Sequence, residues 1–192
     1  MEIDNELRTI LDPAKTALLV WDVQNMLVNR IFNPDQFLAN TRNVLASAKA
    51  NKVPVIFSKI TPLSGPFESP VRNYFFRKRQ FQVNQVPNGL DLTIEPTEGD
   101  IVMPKNTASI FIGTNFEMLL RNAGITTILF TGIATEFGVE SSARDASNRG
   151  FFPVILTDAV SSYDQEAHYR SLANMKNLAI LLKSEEIISL WE

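Results

Sequence analysis

Short apolar runs, each closed by a glycine, a proline or a charge, alternate along this chain with segments whose apolar residues recur at helical spacing. Residues 16–23, TALLVWDV, form a continuous apolar run interrupted by one acid. That is the composition of a strand buried on both faces, and Asp22 stands at its carboxyl end. Asn33 and Pro34 supply a cap and a first-turn residue, and Phe37, Val44, Leu45 and Ala48 follow at helical spacing, predicting a helix to residue 50. Residues 53–60, VPVIFSKI, predict a second strand, and the Pro- and Ser-containing stretch 61–70 a loop long enough to line a site. Between 70 and 100 only PVRNYFFRKRQ suggests a helix, and the rest has no clear period.

Residues 100–104 read as a brief strand ending at Lys105, 115–123 as a helix stopped by Gly124, and 126–130 as a β-branched, apolar strand. There the chain turns at Gly132 directly into a helix. Thr135 is its expected N-cap, Glu136 places a carboxylate in its first turn, and Gly150 ends it. A strand over 152–157, a helix over 165–177, a strand over 178–182 and a helix over 185–191 complete the pattern, and residues 1–13 read as a short arm. Strands alternating with helices require crossover connections, hence a parallel sheet covered on both faces. With no linker and no repeat, a single domain over 1–192 is expected.

Composition narrows the functional classes. The net charge of −3 leaves no broad basic surface for nucleic acid. The first residues are acidic where a signal peptide needs bases, and no apolar run approaches ~18 residues, so a soluble, cytoplasmic protein with no membrane partner is expected. The cysteine count of 0 excludes a disulfide framework, a zinc-thiolate site and an iron–sulfur cluster. One histidine in the whole chain cannot build a histidine-based metal site, so neither metal nor cofactor is expected.

Asp22, Lys105 and Gly138 each fall at or just after the carboxyl end of a predicted strand, which brings three distant residues to one rim. An acid closing an apolar strand must be solvated, paired or functional, and the bland alternative for this pair is a surface ion pair. Burial would raise the pKa of Asp22 and a nearby ammonium would lower it.

The stretch TGIATEFGVESSARDASNRG resembles the region around the nucleophile of the isochorismatase-like hydrolases, also called the cysteine hydrolases, which read GxAT, two residues, then cysteine. In this chain that position is Gly138. WDVQN, PKNTASIF, TDAVSS and the helix containing EAH extend the resemblance over essentially the whole length. It implies an α/β fold with a doubly wound, mostly parallel six-stranded sheet, helices on both faces, and a site beyond the carboxyl ends of the strands. It matches Asp22 and Lys105 to the aspartate and lysine of the family triad, and implies a cis peptide joining Ile133 and Ala134.

Two functions follow from it. One is hydrolysis of a small molecule without cysteine, Asp22 serving as acid/base on a vinyl ether or related bond and Lys105 stabilising charge. The other is a catalytically inactive relative that binds a ligand or acts through an oligomeric surface. Gln24, Ile133, Ala134 and Phe137, with Arg77 and Arg79 as an anion-binding edge, are the candidate substrate contacts. The run 77–79 reads equally as a solvated helix face.

Thr135, Ser141 and Ser142 lie one helical turn, ~5 Å, from position 138, too far to replace a thiol in place; capping and packing suit them better. A glycine inside a helix costs ~1 kcal/mol relative to alanine, which either a closely approaching substrate or relaxed selection would explain. His168 reads as a packing residue. The 13 phenylalanines, several between 70 and 82, together with the association common in the family, predict a homodimer or homotetramer.

Overall fold

The computed structural model describes residues 4–78 and 86–192. After a short helix α1 (Asn5–Ile10), the chain enters strand β1 (Thr16–Trp21), then a single turn α2 (Asn25–Val28) and the long helix α3 (Pro34–Ala50). Strand β2 (Val55–Ile60), helix α4 (Pro70–Lys78), strand β3 (Ile101–Lys105) and helix α5 (Phe116–Asn122) lead to strand β4 (Thr127–Ile133). Helix α6 (Glu140–Asn148), strand β5 (Phe152–Ser161), helix α7 (Gln165–Met175), strand β6 (Ile180–Leu182) and helix α8 (Ser184–Trp191) follow.

The six strands lie in the order β3-β2-β1-β4-β5-β6, and every neighbouring pair is parallel. The sheet winds outward from β1 to one edge and from β4 to the other. The order therefore reverses between β1 and β4, and a doubly wound sheet opens its crevice at that reversal, beyond the carboxyl ends. Strand β1 is buried along its length and its side chains alternate between two cores. Leu18 and Val20 join Phe37 and Val44 of α3 and Ile187 of α8, whereas Ala17, Leu19 and Trp21 join Phe116 of α5, Val139, Ala143 of α6 and Met175 of α7. Among the described residues, no helix is long and apolar enough to cross a membrane.

The largest departures from the sequence pattern fall around position 132. β4 runs on to Ile133 instead of ending at Phe130, and β5 runs to Ser161, with a register shift between Phe130 and Gly132. Gly132 permits this. Its φ is 119°, and a Cβ there would lie 2.1 Å from the Trp21 carbonyl oxygen, so both conformation and space require glycine. The helix that follows opens with a π turn, Thr135–Val139, before α6 begins. Thr135 is not its N-cap: Ala134 holds that position, and the Thr135 hydroxyl turns inward instead. The segment beginning at residue 70, poorly patterned in the sequence, is helical to Lys78.

Candidate active site

Asp22 follows β1 directly, with φ at 47°, a left-handed conformation uncommon for a residue with a side chain. Its backbone N–H donates to the Ser58 hydroxyl oxygen at 3.1 Å, and that hydroxyl donates to Asp22 Oδ1 at 2.6 Å. Ser58 sits in the neighbouring strand β2, so the carboxylate is oriented by the sheet itself. Lys105, the last residue of β3, reaches across to place Nζ 2.6 Å from Asp22 Oδ2 and 3.2 Å from the Thr107 carbonyl oxygen. Both side chains of the pair are 3% exposed. This is a buried ion pair and not the surface one.

Burial pushes Asp22 above the usual carboxylate range, against the pull of the Lys105 ammonium and the Ser58 hydroxyl. Burial also pushes Lys105 below the usual amine range, against the attraction of Asp22. Burial thus works against charge on both groups, and their contact at 2.6 Å works for it. The Arg72 guanidinium is close enough to act on both groups. It is held by the Asn106 carbonyl at 3.0 Å, by Asn106 Oδ1 at 3.3 Å and by Glu68. The cation that α4 brings to the pair is thus Arg72. Arg77 is exposed on the last turn of α4, and Arg79 lies outside the described residues.

Position 138 completes the rim, in the π turn after β4. A Cβ built on Gly138 would lie 2.0 Å from the indole Nε1 of Trp21, 2.1 Å from Cε2 and 2.3 Å from Cζ2. The space that glycine leaves is therefore filled from within the protein by a tryptophan, not reserved for a substrate. The same ring carries Lys105 Nζ 4.0 Å from its centroid.

The remaining candidates divide. Ile133 and Ala134 are joined by a cis peptide bond at the start of this turn, and both are buried. Gln24 is wholly buried, and its amide is engaged by backbone: Nε2 donates to Leu90 O at 2.7 Å and Oε1 accepts from Ile60 N at 2.9 Å. It ties the end of β2 to the segment around Leu90 and acts on the rim through those backbones. Phe137 projects outward and stacks on Tyr163, centroids 6.3 Å apart. Glu136 accepts from the Ser162 hydroxyl at 2.7 Å. His168 is buried against Phe32 and Tyr169, its Nδ1 lies 2.8 Å from Thr135 Oγ1, and burial lowers its pKa. Ser142 accepts from Ile110 N at 3.2 Å, a packing role. Among the described residues, no group of three or more His, Cys, Asp or Glu side chains could hold a metal ion.

Sequence reasoning missed Ser58, Arg72 and Trp21. Ser58 carries a signal, a lone hydroxyl in an otherwise apolar buried run; Arg72 sits in the suggested helix PVRNYFFRKRQ, where the run 77–79 drew attention instead; Trp21 looks like ordinary core.

Comparison with known proteins places the same stretch in a wider context. The family model described as the isochorismatase domain matches residues 16–186. The chain is 31% identical over 193 aligned positions to the ureidoacrylate amidohydrolase RutB of Methylobacterium radiotolerans, covering 86% of this chain and 75% of that one. It is 29% identical to the uncharacterized isochorismatase family protein YecD of Escherichia coli, covering 93% and 97%. Among solved structures, a cysteine hydrolase from Pseudomonas syringae pv. phaseolicola superposes with a TM-score of 0.83 at 20% identity, 93% of each chain being covered, which is a likeness of fold.

Proposed function

This chain belongs to the isochorismatase family, and on that premise we propose that it hydrolyses a small molecule without a nucleophilic cysteine, Asp22 serving as acid/base and Lys105 as its electrostatic partner. The resemblance of TGIATEFG to the family motif supports position 138 as the nucleophile's place; this chain has glycine there and no cysteine anywhere in its sequence. The buried pair carries the proposal. Burial favours a protonated Asp22, and a protonated carboxyl is what an acid catalyst needs. Asp22 gives its proton to an electron-rich carbon of an enol ether, or to the leaving atom of a related bond. Water then adds to the resulting cation and returns a proton to the Asp22 carboxylate; for an enol ether the hemiketal so formed collapses to a carbonyl, its C–O bond to the leaving oxygen breaking as the hydroxyl proton passes to that oxygen, so that one water is consumed, an alcohol is released and the acid is restored. Lys105 and Arg72 favour a substrate bearing an anionic group.

Ureidoacrylate, named for the curated relatives, and a set of small enol ethers and amides are the compounds to screen by mass spectrometry. For any that turns over, kcat should fall as pH rises through the pKa of Asp22 in the complex, and Asp22→Asn, confirmed as folded by circular dichroism, should lose turnover while still binding. Undiminished turnover in Asp22→Asn would exclude the mechanism.

One observation favours a second reading, a non-catalytic ligand-binding relative: both charged side chains are 3% exposed, and the indole lies against the ammonium. Binding by calorimetry without turnover across the whole screen would select it.

A further inference from the structure

We infer that Trp21 and Gly138 act as one unit, in which the indole takes the side-chain space of position 138 and from there holds Lys105 against Asp22, making Trp21 a positioning residue of the pair. The contact at Gly138 is too close to be relieved by small adjustment, since three ring atoms lie within 2.3 Å of where a Cβ would be. Nor is the ring the loose end of a flexible chain. It is rigid, 2% exposed and rooted in the central strand, and the backbone behind it is packed so tightly on Gly132 that a Cβ there would lie 2.1 Å from Trp21 O. A side chain at 138 and an indole at 21 therefore exclude each other.

On its other side the ring meets the ammonium. Lys105 Nζ lies 4.0 Å from the ring centroid, 2.6 Å from Asp22 Oδ2 and 3.2 Å from Thr107 O. A buried lysine is driven toward its neutral form, and an aromatic face, like a carboxylate, favours the charged one. The indole thus helps set both the place and the protonation of the amine. Its catalytic meaning rests on the acid/base role proposed above for Asp22 and Lys105; the mutual exclusion of Trp21 and a side chain at 138 does not.

The test is a double-mutant cycle with a chemical readout on Lys105. In the wild-type background Gly138→Ala should shift the unfolding equilibrium by roughly 5- to 30-fold toward the unfolded state, whereas in a Trp21→Ala background the same change should cost nothing. Acetylation of Lys105, followed by mass spectrometry against pH, should rise by roughly 3- to 30-fold at neutral pH in both Trp21→Ala and Gly138→Ala. Trp21→Phe, which keeps an aromatic face, should stay within about twofold of wild type. Additive stabilities would overturn the shared-space claim. Coupled stabilities with an unchanged Lys105 profile in Trp21→Ala would overturn the positioning role. Neither arm measures turnover, so failure of the acid/base mechanism, seen as an active Asp22→Asn, would be recognised separately.

Discussion

At the scale of single residues, the Asp22–Lys105 pair concentrates what is unusual in this chain. Two opposite charges are withdrawn from water, joined at 2.6 Å and completed by one hydroxyl from Ser58 and one carbonyl from Thr107. Breaking such a pair costs more than the pair itself is worth, because the survivor stays buried alone. Lys105→Met should therefore lose about 3–5 kcal/mol at neutral pH. The loss should also depend on pH in a definite sense. Without the ammonium, the Asp22 carboxyl rises further above the ordinary value of ~3.9 that it has in the unfolded chain. The folded state then binds a proton that the unfolded chain releases, so stability falls as pH rises through the raised pKa and recovers on acidification. Urea denaturation of Lys105→Met and wild type at pH 5 and pH 8 measures this; a deficit equal at both, or larger at pH 5, would refute it. Asp22 and Lys105 are legible in the sequence because a charge that ends an apolar strand is conspicuous. Trp21 is not, since an aromatic residue in a buried run looks the same whether it fills a core or holds an ammonium. Only the two glycines facing it, from positions 132 and 138, reveal the difference, and that pairing exists in three dimensions alone.

At the scale of elements, the corner from β4 into α6 is fixed from behind by α7. His168 of α7 meets the hydroxyl of Thr135 at 2.8 Å, that hydroxyl donates to Ser161 O at 3.2 Å, and Ser171 donates to Thr135 O at 3.3 Å. One residue at the head of the π turn is thereby held by the end of β5 and by two positions of the next helix. The expected cap at Thr135 failed for this reason: its side chain is spent on tertiary partners, and a π turn opens the helix where a regular first turn was expected. His168 should report on this junction. Burial lowers its pKa, so the unfolded chain takes up a proton near ~6.5 while the folded one waits for a lower pH. Stability is then lost as pH falls below about 6.5, down to the folded value. Because the chain has a single histidine, proton NMR reads its imidazole without assignment. A midpoint at or above ~6.5 in the folded protein would contradict the buried, neutral ring.

At the scale of the whole molecule, the architecture was the most legible feature: apolar runs alternating with helical periodicity require a parallel sheet covered on both faces, and the resemblance to the family implied that it is doubly wound. The strand order, which puts β1 beside β4, carries Asp22 and position 138 to one crevice from stretches far apart in the chain. The stretch from the loop at 61–70 into α4 shows no clean apolar face in the sequence, because several of its apolar residues do not serve the core. Leu63, Phe67, Val71 and Tyr74 are exposed, Phe67 at 76%. Large apolar groups left in water over so short a stretch mark a surface that gains by association, and a second copy of the chain is always available to supply the complementary face. We therefore propose self-association through this segment, as a closed dimer or a tetramer. Sedimentation at micromolar concentration should show no monomer for the wild type, and Phe67→Asp should shift the distribution toward monomer without lowering the unfolding midpoint of the isolated domain, since its side chain touches water and not the core. A wild-type protein that sediments only as a monomer, or a Phe67→Asp variant that assembles as wild type does, would place the association elsewhere or remove it.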